Sequence, residues 1–202
     1  MLPRRTALGI SVALAMTACD GKLPGADRPA FNGIDITGAE YARKLDLPDV
    51  DGKPRSLAEF KGKAVLVFFG YTQCPDVCPT TMAELAEVRR SLGADGARVQ
   101  GIFVTLDPER DTAEVLKSYV GNFAGDFVGL RGTPDQVRDA AKEFKVFYAK
   151  VPGKTATSYT LDHTAGSFVF DPQGRIRLFV RYGGGAKALA DDLKRLLAEA
   201  SA

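Results

Sequence analysis

The chain has 202 residues, 45% of them hydrophobic and 26% charged, and a formal net charge of +2. That is enough chain for one domain with a full core plus a short appendage. Arg4 and Arg5, the only charges before Asp20, account for the excess, and the balanced remainder carries no basic stripe. Nucleic acid is excluded as a partner on that ground, and three cysteines are too few for a disulfide-dense scaffold.

Two arginines precede an apolar run from Ala7 to Ala18 that is too short to span a bilayer. A positive start, an apolar middle and small residues before a cut describe a secretory signal over residues 1–19. Met16-Thr17-Ala18-Cys19 resembles the lipobox of bacterial lipoproteins. The resemblance implies cleavage before Cys19, lipidation of its sulfur and a membrane anchor; secretion with a free Cys19 is the alternative. Residues 20–35, rich in Gly, Pro and polar groups, read as a flexible tether, and residues 36–202 as the folded domain.

Ala64 to Phe69 is a continuous apolar run that fits a strand buried on both faces. Gly70 ends it, a loop with Cys74 and Cys78 follows, and Pro79 suits the first turn of a helix continuing through Met82, Leu85 and Ala86. Val99 to Leu106 is a second strand. Asp111-Thr112-Ala113-Glu114 has the form of a capping box opening a helix through Tyr119. Val128–Leu130 is a short strand, and Thr133 caps a helix to about Phe144. Ser167–Asp171 and Arg175–Tyr182 form a hairpin around Pro172-Gln173-Gly174. A helix from Ala186 to Ala200 with a leucine stripe closes the chain. This order predicts an α/β domain of thioredoxin-like type, with a central mixed sheet flanked by helices.

Cys74 and Cys78 stand four apart at a helix start, so both sulfurs can converge on one point. A helix N-terminus favours thiolate, which binds metal or attacks a disulfide. The CxxxC spacing, and the lack of a proline between Pro152 and Pro172 where a thioredoxin-like oxidoreductase keeps one, weigh against a general disulfide enzyme. Tyr71 stands where a peroxidatic TxxC motif needs threonine. His163 is the sole histidine. Taken alone such a residue is more often surface or core than ligand, but a thioredoxin-like topology carries it towards the two thiols. Two thiolates and an imidazole form a soft three-ligand set suited to copper, as Cu(I) or Cu(II). Catalytic zinc and an ordinary disulfide both stay open on residue types alone.

Phe68-Phe69-Gly70-Tyr71-Thr72, Cys74-Pro75-Asp76-Val77-Cys78-Pro79, Asp107-Pro108-Glu109-Arg110-Asp111-Thr112, Asp162-His163-Thr164 and Asp171-Pro172-Gln173-Gly174 together resemble the Sco/SenC family. The resemblance covers most of residues 40–200. It implies a copper chaperone for the CuA centre of cytochrome c oxidase, with Cys74, Cys78 and His163 as metal ligands and no obligatory enzymatic activity. It also implies that Cys74 and Cys78 can pair as a disulfide, the basis of an alternative role as thiol-disulfide reductase. The implied partners are the apo-CuA subunit, a further periplasmic copper donor or a thioredoxin-like reductant, and the membrane. The implied location is the periplasmic side of the bacterial inner membrane. Lys145–Leu161 corresponds to the family's insertion before the histidine and is expected to be mobile. Asp76 and Asp107 read as a helix cap and a loop acid, and Asp162 as a partner that orients the imidazole or caps a turn.

Overall fold

The computed structural model describes residues 31–155 and 158–200. The signal and Cys19 lie outside these residues. Six strands form the central sheet, in the order β1 (Ile34–Asp35), β10 (Ile176–Arg181), β9 (Gly166–Phe170), β4 (Ala64–Gly70), β5 (Val99–Thr105) and β6 (Val128–Leu130). At its centre β4 (Ala64–Gly70) and β5 (Val99–Thr105) run parallel, and every residue of both is buried. Such strands need apolar side chains on both faces, which is why β4 appears in the sequence as an unbroken run and β5 as one interrupted only by the buried Gln100 and Thr105. β6 (Val128–Leu130) extends the parallel side. On the other side β9 (Gly166–Phe170) is antiparallel to β4, and β10 (Ile176–Arg181) turns back on β9. The thioredoxin-like mixed sheet is thus as expected from the strand pattern.

The β9–β10 turn is closed by Asp171, whose side chain accepts from the Gln173 and Arg175 N–H groups. Gly174 supplies the positive φ of 80° that the turn requires. Residues 31–35, assigned from sequence to the tether, belong to the fold instead. β1 (Ile34–Asp35) pairs with β10, and buried Asp192 accepts from the Asn32 and Gly33 N–H groups.

Four helices flank the sheet: α1 (Val77–Ser91), α2 (Ala113–Gly121), α3 (Pro134–Glu143) and α4 (Ala186–Glu199). α1 and α4 pack together. α3 is capped by Thr133 as expected, within a capping box in which Thr133 and Gln136 each accept the other's backbone N–H. α2 begins one residue later than its sequence pattern suggests: Thr112 is the N-cap and accepts from Val115 N–H. Phe68, Phe69, Phe103, Phe144 and Phe170 are fully buried at the centre of the core. Phe144 stands 5.0 Å from Phe69 and 5.1 Å from Phe168, ring centre to ring centre, within the range that favours tilted and edge-on aromatic contacts.

Two small hairpins were not evident from sequence. β2 (Asp46–Pro48) pairs with β3 (Pro54–Ser56), and β7 (Tyr148–Pro152) with β8 (Tyr159–His163). The second occupies much of Lys145–Leu161, the segment read as the insertion before the histidine. Five pairs of facing residues run from Tyr148–His163 to Pro152–Tyr159. Most of these side chains are at least partly exposed, so no apolar alternation announces the strands, and backbone pairing defines them.

Candidate metal centre

β4 ends at Gly70, the chain loops through residues 71–76, and α1 starts at Val77. Cys74 therefore sits in the loop and Cys78 in the first turn of the helix. The loop is tied down at both ends. Cys74 N–H donates to the Tyr71 carbonyl (3.2 Å). Thr72 donates through its N–H (3.0 Å) and its hydroxyl (2.6 Å) to the carboxylate of Asp111, which is fully buried. Cys78 N–H, one of the donors a helix start leaves without an internal partner, points to Cys74 Sγ at 3.4 Å.

Cys78 is 0% exposed and lies against the end of β4; Cys74 is half-buried. The backbone at Gly70 approaches so closely that a Cβ there would stand 2.7 Å from Cys78 Sγ. Only glycine leaves room for that sulfur. Burial pushes the Cys78 thiol well up from its ordinary value; the Tyr71 N–H acts against that, and Cys74 adds to it. Without a metal the Cys78 sulfur thus holds its proton.

His163 ends β8 and faces the cysteines from the other strand system. Its Nε2 is 3.5 Å from Cys78 Sγ. Its Nδ1 is 3.1 Å from the Thr164 carbonyl, an oxygen that can only accept, so Nδ1 carries the hydrogen and Nε2 presents a lone pair. The ring stands edge-on to Phe68 and Tyr71, each 6.0 Å away between centres. Burial lowers the His163 pKa, with the Thr164 carbonyl and the Asp162 charge opposing, so the imidazole stays neutral near pH 7.

The donor atoms of Cys74, Cys78 and His163 all lie within 4.8 Å of one another. Typical metal–donor bonds of about 2.0–2.3 Å place three donors spread around one ion about 3.5–4.0 Å apart. A single soft ion fits once the widest pair closes by about 1 Å. Among the described residues this is the only group of three or more His, Cys, Asp or Glu donors, so these side chains supply three ligands.

The SCO1/SenC family model matches residues 35–198. The chain belongs to the SCO1/SenC family. Among relatives, it is 36% identical over 159 residues to the mouse mitochondrial SCO2 homologue, covering 76% of this chain and 61% of that protein. It is 35% identical over 171 residues to a SCO2-like protein of Rickettsia felis, covering 83% of each. Among solved structures, Bradyrhizobium japonicum ScoI with copper bound superposes with a TM-score of 0.68 at 40% identity, over 76% of this chain and 97% of that one. Apo Sco1 of Thermus thermophilus gives 0.73 at 39% identity, over 83% and 97%.

The other acids of these SCO1/SenC motifs hold roles that spacing alone does not reveal. Asp76 is the N-cap residue of α1 but its side chain caps nothing; it accepts from Tyr182 Oη at 3.4 Å. Asp107, read as a loop acid, is buried, ion-paired with Arg110 and accepts from Tyr159 Oη at 2.8 Å. Asp162 is exposed, and the Thr164 carbonyl orients the imidazole instead. Asp111 was taken for a helix cap; it is the buried anchor of the cysteine loop. Its signal was the adjacent Thr112, itself a favourable cap, which leaves the aspartate free to turn inward.

Proposed function

We propose that this protein carries copper outside the cytoplasm and delivers it to the CuA centre of cytochrome c oxidase, holding the ion through Cys74, Cys78 and His163. The supporting observation is the three-donor cluster, with an unprotonated Nε2 and with Cys74 half-exposed. A closed four-ligand site would exchange slowly, whereas an open one admits an incoming thiolate from the recipient. The copper bound in a solved relative 40% identical over most of this chain points to the same cargo. Copper is thus cargo, not a resident catalyst. Anchoring through lipid on Cys19 would keep the domain beside an inner-membrane oxidase, with residues 20–30 as the tether. No helix among the described residues is long and apolar enough to cross a membrane.

The test is transfer: copper-loaded protein is mixed with a reduced, metal-free CuA domain. Appearance of the CuA spectrum with the parent and its loss with His163→Ala supports delivery. A parent that transfers nothing while holding copper overturns it. A second reading, thiol-disulfide reductase, draws on the half-exposed Cys74 beside the buried Cys78. That pair could attack a partner disulfide and resolve the mixed disulfide, and it predicts reduction of an oxidised CuA domain that survives His163→Ala.

A further inference from the structure

The β7–β8 hairpin is a sheet of its own, with no strand pairing to the central sheet among the described residues. Its internal bonds, including those between Phe147 and Thr164, shape the hairpin, while buried Leu161 and the two-residue link from His163 to Gly166 of β9 tie its near end to the core. The far end of β8 is held by a clamp built on Arg110. The Arg110 guanidinium carbon lies 3.6 Å over the Tyr159 ring. One of its nitrogens donates to the Tyr159 carbonyl (2.8 Å) and to Gln73 Oε1 (3.1 Å), beside Cys74. Its Nε pairs with buried Asp107, which also accepts from Tyr159 Oη. Lys150, ion-paired with Glu109 at 2.6 Å, stands 4.7 Å from the same ring.

The loop carrying Arg110 is itself held, since Arg131 donates to the carbonyls of Asp111 (2.8 Å) and Pro108 (2.9 Å). One fixed loop therefore grips the cysteine segment through Thr72 and Gln73, and the histidine strand through Tyr159. Tyr159 and His163 are the two ends of one five-residue strand, about 13 Å apart at the usual rise per residue. A swing at one end displaces the other.

We infer that Arg110 and Tyr159 are positioning residues for the metal centre, clamping the hairpin so that His163 Nε2 stands over the two sulfurs. The inference rests on His163 being a copper ligand. Tyr159→Leu removes the ring and its hydroxyl while leaving Asp107 paired with Arg110, and Arg110→Lys keeps the charge at Asp107 but loses the flat, forked donor. Each variant of the otherwise intact protein is compared with the parent by Cu(I) competition against a chelator. Each is also compared by the nitrogen coupling in its Cu(II) paramagnetic resonance, and by amide exchange without metal. The expected result is about 10- to 100-fold weaker Cu(I) binding, the usual loss when the groups orienting a ligand are removed. Nitrogen coupling should weaken and β7–β8 amides exchange faster, with β4–β5 amides unchanged. In a His163→Ala background the same substitutions should cost no further affinity. Parent-like affinity and nitrogen coupling in both variants would overturn the inference alone, as would an equal loss of affinity in the His163→Ala background. A parent that binds no copper would overturn the metal-centre reading and the clamp's role with it.

Discussion

Asp111→Ala should loosen the cysteine loop without touching a sulfur or the imidazole. The carboxylate accepts from the Thr72 N–H, the Thr72 hydroxyl and the Thr105 hydroxyl, and it is fully buried. A hydrogen bond to a charged group contributes about 1.5–3 kcal/mol, and a buried donor left without its acceptor costs about 1–3 kcal/mol. The two hydroxyls can rotate towards other acceptors, whereas the Thr72 N–H cannot. Loss of the buried charge offsets part of the total, because a carboxylate no longer has to leave water. The net expectation is about 3 kcal/mol of lost stability. For a domain of this size that lowers the melting temperature by about 6–12 °C. Urea unfolding of the reduced, metal-free protein measures it, and the slope should be unchanged while the midpoint falls. A loss below about 1 kcal/mol would refute Asp111 as the anchor.

Gly70→Ala should displace Cys78 Sγ, because the new Cβ would stand 2.7 Å from it; Cu(I) affinity should fall at least about 10-fold, and competition titration checks it. Asp192→Ala removes the acceptor for the Asn32 and Gly33 amides and the Asn32 side chain. Faster exchange and proteolysis are expected over residues 31–35, with copper binding unchanged. Phe144→Ala should cost about 3–5 kcal/mol in thermal or urea unfolding, since the ring is fully buried among Phe69, Phe168 and Phe170. Protein oxidised at Cys74 and Cys78 should bind no Cu(I), and reduction should restore binding.

The central strands were legible because burial on both faces leaves a mark in one dimension: β4 is apolar throughout, and β5 at all positions but Gln100 and Thr105. The α3 cap was legible because Thr133 and Gln136 are three residues apart and act locally. The cysteine pair is local too, whereas His163 bonds to Cys78 across 85 positions and needed topology and family resemblance to join them. The clamp was not legible. Arg110 and Tyr159 are 49 positions apart, and an arginine in an acidic loop looks like any solvated charge. Asp111 was misplaced because Asp and Thr are both good caps and stand side by side; burial, which the pattern does not carry, decided between them. The β7–β8 hairpin was hidden because its strands expose most of their side chains and rely on backbone pairing.

The most direct measurement is the copper content of the reduced protein lacking residues 1–19, beside Cys74→Ser, Cys78→Ser and His163→Ala. About one copper per chain in the parent, lost or weakened by at least about tenfold in each variant, is the expected result. Copper held equally well without His163, or no copper on the parent, would contradict the three-donor centre and move the thiol-disulfide reading to first place.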